Sequence, residues 1–328
     1  MPPDRSSSFL PGAVWTDLAG RPIQAHGGGV LEQDGTYYWF GENKDADTSE
    51  NHRADVVGVN CYSSADLLHW ANHGLVLAAE AAGPPDHDLH PSRVAERPKV
   101  IRNPATGQYV MWLHIDSPDY SDARAGVAVS DCVTGPYRYL RSQRPNGLDS
   151  RDMTLFQDDD GRAYLIHSSD WNSVVIISDL DDSYLACTGR YSRHFDHGAK
   201  NTGRESPAVF KHQEIYYMIT SGTTGWDPNP AQYATARSVH GPWVTCGNPC
   251  QGANAETTFQ AQNTFVLPVA GKRGAFIFMA DRWNKHDLRD SRYVWLPLAV
   301  KEGEVAVKWH DSWALDVFSA GERHPSLP

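Results

Sequence analysis

The sequence predicts an all-β protein, built as a five-bladed β-propeller. Three observations carry this expectation. Helical periodicity is scarce along the 328 residues, while short runs rich in Val, Tyr, Thr, Phe and Trp are punctuated by Gly, Pro, Asp and Asn, the pattern of many short strands. One phrase, a turn followed by an aromatic strand, recurs five times. Each copy is flanked by further apolar runs in the same order, so that four strands repeat five times.

In the first copy Asp34-Gly35 leads into 36–40, with apolar runs at 27–31 before and 58–63 after. In the second, Thr106-Gly107 leads into 108–112, between runs at 98–101 and 126–130, with a fourth strand near 137–140. The third has Asp160-Gly161 before 162–166, between 153–156 and 174–178. The fourth has Gln213-Glu214 before 215–219, between 208–210 and 233–236, with a further strand near 243–245. The fifth and weakest has Gly274 before 275–278, between 264–267 and 293–298. The markers Tyr38, Tyr109, Tyr164, Tyr216 and Phe276 stand 71, 55, 52 and 60 residues apart. The DG and TG pairs suit tight hairpins. The run Asp158-Asp159-Asp160-Gly161 reads as such a turn, because it lacks the ligand spacing and distal Glu of a calcium loop. A propeller makes one domain, expected over 15–320. Residues 1–14 then form an N-terminal extension and 321–328 a tail, with the ring closing near 308–318.

Composition excludes several functions. Lys plus Arg number 29 against 40 Asp plus Glu, a net charge of −11, and Lys/Arg runs are lacking. Nucleic acid and anionic membrane are therefore not expected partners. No stretch of 18 apolar residues occurs that could cross a bilayer as a helix. The first ten residues show no secretory signal pattern. Five Cys do not make a disulfide framework in a chain of this length. Cys246 and Cys250 are either bonded or free thiols, and Cys61, Cys132 and Cys187 read as small core residues. No Gly-rich phosphate loop with Lys occurs, so no nucleotide cofactor is implied. The clusters at 86–90 and 194–197 read as solvated loops rather than metal sites. The 11 Trp, 14 Tyr and 10 Phe suit an aromatic core, with some rings left to stack on sugar faces.

In a propeller the first strand of each blade lies beside the central channel, so the residues that begin those strands converge near the axis. They are His26, Glu96, Asp152, Glu205 and Gln262. Three converging carboxylates repel, which raises at least one pKa. A protonated carboxylic acid beside an ionised one is what glycoside hydrolysis needs. The bland alternative is a polar plug that fills the channel. Arg97, Arg151 and Arg204 adjoin the carboxylates, but strand alternation would point them elsewhere. The three glycines at 27–29 suit close backbone approach.

The set AHGGG, YYWFGENK, CYSSADLLHW, ERPKV, SRDMTLF, ESPAVFK, SGTTGWDPN and DRW…YVWLPL resembles glycoside hydrolase family 43, and within it the exo-β-1,3-galactanase subfamily. The resemblance covers about 15–318. It implies a five-bladed propeller and an inverting, exo-acting hydrolase that releases galactose from the non-reducing end of β-1,3-galactan, the backbone of type II arabinogalactan. Glu205 matches the general acid and Asp152 the carboxylate that orients it and adjusts its pKa. Glu96 and Gln262 match the residues around the attacking water. Where most of the family has an Asp base this chain has His26, as the subfamily does, so the base is open among Glu96, Gln262 and His26. Glu42, Tyr120, Asn172, Thr223 and Trp226, with His26, match the sugar-binding positions. No cofactor is required, and the channel leaves room for a structural calcium ion. A polysaccharide substrate implies an extracytoplasmic site. An arabinofuranosidase or xylosidase of the same family, or a non-catalytic sugar-binding propeller, are the competing readings. Oligomeric state is not legible.

Overall fold

Asp34 and Gly35 both take positive φ, 52° and 80°, the geometry of a two-residue hairpin turn whose twist matches that of its strands. Gln213 and Glu214 adopt the same geometry without a glycine. Such turns join the first and second strands of the first and fourth of five four-stranded antiparallel blades, and loops of five to seven residues do so in the other three. The computed structural model describes residues 7–322. Blade 1 comprises His26–Gln33, Thr36–Asn43, Gly58–Ser64 and Ala71–Ala78. Blade 2 comprises Val94–Arg102, Tyr109–Asp116, Arg124–Ser130 and Arg138–Gln143. Blade 3 comprises Met153–Gln157, Ala163–Ser169, Val174–Leu180 and Cys187–His194. Blade 4 comprises Glu205–His212, Ile215–Ser221, Gln232–Ala236 and Val244–Gly247. Blade 5 comprises Gln262–Pro268, Phe276–Arg282, Arg292–Lys301 and Glu304–Lys308, and Cys250–Gln251 pairs parallel to its outer edge.

The first strand of every blade packs against the first strands of both neighbours, from blade 1 round to blade 5 and back. The fold is therefore the five-bladed propeller that the repeated phrase predicts. Apolar side chains on the two faces of each blade fill the gaps between blades, which makes five hydrophobic clusters, one per interface. The cluster between blades 5 and 1 is the most aromatic. It contains Trp39, Trp70, Trp295 and Trp313, none more than 5% exposed. With Trp112, five of the eleven tryptophans are buried, and Trp15, Trp243 and Trp309 pack partly buried against the clusters.

Closure is made at this interface without sharing a strand between blades. Phe9 pairs with Trp313 by backbone hydrogen bonds, and their rings stack at 4.1 Å. Residue 9, placed by the sequence in an extension, is a core residue 1% exposed. The expected tail lies outside the described residues from position 323 onward. Cys132 is exposed, not a core residue, because it sits in the turn after the third strand of blade 2; all five cysteines are free thiols. The glycines at 27–29 are needed by packing. A Cβ on Gly28 would lie 1.9 Å from the Phe40 carbonyl oxygen, and one on Gly29 would lie 2.7 Å from the Lys99 side chain.

Candidate active site

The first strands begin at one end of the channel, and four of them break register there, in blade 5 between Asn263 and Phe265 and in the other three by wider bulges. Bulges fall between His26 and Gly29, Glu96 and Lys99, and Glu205 and Ala208. In each, the second residue is left-handed: Gly27 at φ 58°, Arg97 at 56° and Ser206 at 54°. A left-handed residue at a bulge turns its side chain out of the ordinary alternation. So Arg97, which alternation assigned to the far side, points inward with Glu96.

Arg97 is the hub of the site. Its Nε donates to Asp152 Oδ1 at 3.2 Å and one terminal nitrogen lies 2.9 Å from Asp152 Oδ2, a two-pronged pair. The same nitrogen donates to Gln262 Oε1 at 2.5 Å, and the other donates to Ser206 Oγ at 2.9 Å. Its backbone N–H donates to Glu42 Oε1 at 2.8 Å. One residue of blade 2 thereby holds side chains from blades 1, 3, 4 and 5.

Glu205 lies opposite, 9% exposed. Its Oε1 accepts from Gln262 Nε2 and its Oε2 from Asn172 Nδ2, each at 3.0 Å. Asn172 ends a run of three left-handed residues, Asp170, Trp171 and Asn172, fixed by backbone hydrogen bonds to the Asp149 carboxylate. Burial, reinforced by the charge on Asp152, pushes the Glu205 carboxyl up to about 8 despite Arg97. It is therefore protonated at neutral pH.

Glu96 behaves oppositely. Burial would raise it, but Lys44, His114 and Arg97 outweigh that and hold it at about 2. Lys44 lies 3.6 Å from Glu96 Oε1, which also accepts the Tyr120 hydroxyl at 3.1 Å. His114 Nδ1 stands 3.6 Å from Glu96 Oε2, an ion-pair distance rather than a hydrogen bond. Its Nε2 bonds to Asp116 at 2.9 Å, and its pKa is pushed up to about 9, because those two carboxylates outweigh burial. Glu42 is 3% exposed and pairs with Lys44 at 2.6 Å. Each of its oxygens keeps a lone pair for a sugar hydroxyl.

Gln262 is saturated. Its Nε2 donates to Glu205 and to Ser221 Oγ at 3.0 Å, and its Oε1 accepts from Arg97 and from Trp283 Nε1 at 3.1 Å. Trp283, which the sequence placed in a motif but gave no role, forms a wall of the site. Its ring meets Trp226 edge-on at 5.3 Å, and the Arg97 guanidinium lies 5.9 Å from its centre. Thr223 Oγ1 donates to the Asn201 carbonyl at 2.7 Å and so braces the loop that carries Trp226.

His26 requires correction. It is fully buried, with Nδ1 3.1 Å from Asp281 Oδ1 and its ring stacked on Tyr293 at 4.9 Å. Asp281 also accepts the Gly27 N–H at 2.9 Å. His26 is a strut behind the pocket, reached by neither sugar nor water. Asp281 and Trp283 come from the second strand of blade 5 and the loop after it, outside the pattern of strand starts, so that pattern could not find them. Lys44 and His114 were equally hidden, since both stand on or beyond second strands. Calcium does not fit the channel. Lys99, on the first strand of blade 2, bonds the Gly27 carbonyl of the neighbouring first strand at 2.8 Å, and Arg97 lies beside it, whereas calcium needs a cage of oxygens. No cluster of metal-binding side chains occurs among the described residues.

Comparison with known proteins bears on this geometry. Residues 25–290 match glycosyl hydrolases family 43. A solved family 43 β-1,3-galactosidase with galactodeoxynojirimycin is 42% identical, over 94% of this chain and 100% of that one, with a TM-score of 0.87. The exo-β-1,3-galactanase of Phanerochaete chrysosporium, solved with β-1,3-galactotriose, is 38% identical over 94% of this chain and 69% of that one, with a TM-score of 0.84. A β-D-galactofuranosidase of Aspergillus niger is 27% identical over 244 residues, 70% of this chain and 67% of that one.

Proposed function

The chain belongs to glycoside hydrolase family 43, and from that premise we propose that it releases galactose from the non-reducing end of β-1,3-galactan, with inversion at the anomeric carbon. It is a glycoside hydrolase. The observation that carries the mechanism is the contrast between two carboxyls at one channel mouth: Glu205, buried and protonated to about pH 8, and Glu96, partly buried and ionised throughout the neutral range.

Glu205 is assigned as the general acid. It gives its proton to the glycosidic oxygen as the bond to the anomeric carbon breaks, and the charge on Asp152 keeps that proton in place until then. Arg97 holds Asp152 and Gln262 in fixed positions relative to the acid, so the arrangement exists before substrate arrives. Glu96 and Gln262 are assigned to position the attacking water on the opposite face of the sugar. Of the two, Glu96 alone has a lone pair to spare without breaking a bond seen here, so it makes first contact with that water. Glu42, Asn172 and Tyr120 supply hydroxyl partners, and Trp226 with Trp283 supplies the stacking wall.

The test is NMR of the first anomer formed from β-1,3-galactan. α-Galactose is expected, and β-galactose would overturn inversion. Parallel assays with nitrophenyl galactofuranoside, arabinofuranoside and xyloside check the sugar. Cleavage of those alone would replace the galactanase assignment.

A further inference from the structure

A second cavity of about 700 Å³ lies on blade 5, lined among others by Asn254, Phe259, Gln260, Arg282, Lys308 and Trp309. Its place follows from strand direction. The first strand of blade 5 begins at the active-site end, so its antiparallel second and fourth strands finish there, at Arg282 and Lys308. The cavity therefore opens on the same face as Glu205. It also shares two segments with the active site. Gln260 lies two residues before Gln262, and Arg282 lies between Asp281 and Trp283.

The lining is cationic in a chain whose net charge is −11. It carries Arg282 and Lys308 and no acidic side chain. The Arg282 guanidinium lies over the Trp309 ring, 5.4 Å from its centre, and spends one terminal nitrogen on the Phe259 carbonyl, at 2.9 Å. Its Nε is buried without a partner. Burial lowers its pKa, and no neighbouring carboxylate restores it. A guanidinium set over an indole, with no carboxylate beside it and donors unspent, suits a carboxylate ligand. Among the described residues the side-chain amides of Asn254 and Gln260 are also unspent and open to the cavity.

We propose that this cavity is a second saccharide-binding site for a sugar unit bearing a carboxylate, gripped by Arg282 and Lys308, with Asn254 and Gln260 bonding its hydroxyls. That the ligand is a saccharide rests on the hydrolase reading above. That it is acidic rests on the cavity alone.

The test is calorimetric titration of the full chain with sodium D-glucuronate, in saturating galactose to fill the active site. Glucuronate is expected to bind at least about tenfold more tightly than its methyl ester, which lacks the charge. Arg282→Met and Lys308→Gln should each weaken it by about fivefold or more. Lys308 is exposed, so its variant carries the test if Arg282→Met fails to fold. Equal binding of acid and ester, no binding, displacement by galactose, or insensitivity to the folded variants would overturn the site. Acetate binding as tightly as glucuronate would overturn its saccharide specificity. Hydrolysis of plain β-1,3-galactan is read separately. Glucuronate binding without that activity would sink the hydrolase reading and keep the site, and the reverse would sink only the site.

Discussion

Glu205→Gln should make the protein less active and, at neutral pH, more stable. The folded state holds the Glu205 carboxyl at about 8 against an ordinary value of 4.5. Below pH 4.5 both states carry the proton, and the group leaves stability unchanged. As pH rises from 4.5 to 8 the unfolded chain ionises freely while the folded chain does not, so stability is progressively lost. Each unit is worth about 1.4 kcal/mol, which makes the loss about 3 kcal/mol at pH 7 and about 4 kcal/mol at pH 8, where the folded carboxyl is itself half ionised. Glutamine removes this term. It also disturbs one contact, because Gln262 and Asn172 each direct an N–H at the carboxyl and an amide offers only one oxygen. That costs about 1 kcal/mol at every pH. The difference between variant and wild type, from urea unfolding at pH 5, 6, 7 and 8, should therefore climb in the variant's favour by about 3 kcal/mol or more across the series. Turnover should fall at least about a hundredfold, as for loss of a general acid. A stability difference that changes by less than about 1 kcal/mol over that range would refute the raised pKa. Wild-type turnover would refute the catalytic role.

Other substitutions test the rest of the site. Asp152→Asn removes a negative charge that raises Glu205 and leaves Arg97, which lowers it, so the alkaline limb of the kcat/KM profile should move to lower pH; an unmoved limb would separate Asp152 from the acid. Arg97→Lys keeps a charge but cannot span Asp152, Gln262 and Ser206 together, so kcat should drop about a hundredfold and urea unfolding should show a loss of about 3 kcal/mol. Near-normal kinetics would show that the hub is dispensable. Gly28→Ala puts a methyl into the Phe40 carbonyl and should cost at least about 3 kcal/mol. Gly35→Ala, with open space around it but φ at +80°, should cost only about 1 kcal/mol. Similar melting temperatures for the two would refute the packing account of the three glycines.

The fold was legible because each blade repeats a local instruction. A turn such as Asp34-Gly35 and an aromatic strand need no distant partner to be recognised. The starts of the first strands were legible for the same reason, and Glu96, Asp152, Glu205 and Gln262 meet where that reading placed them. Arg97 was missed because period-two alternation fails at a bulge, and nothing in ERPKV announces a left-handed arginine. His26 was misplaced because strand position does not say which way a side chain turns once register slips. Asp281, Trp283 and Lys44 belong to second strands and the loops after them, whose reach toward the axis depends on how blades stack.

The left-handed residues at 97 and 206 have a further consequence. At either position glycine is the residue the chain itself would choose, since no Cβ opposes that conformation. Yet Arg97→Gly would leave Asp152 without its ion-pair partner, and Ser206→Gly would take away a hydroxyl that orients the arginine. Improving the comfort of the backbone and emptying the reaction chamber are here the same substitution. At 97 the relief of about 1 kcal/mol of backbone strain is outweighed by the roughly 3 kcal/mol that the lost pairing costs, so the arginine is held in a conformation that only its contacts justify.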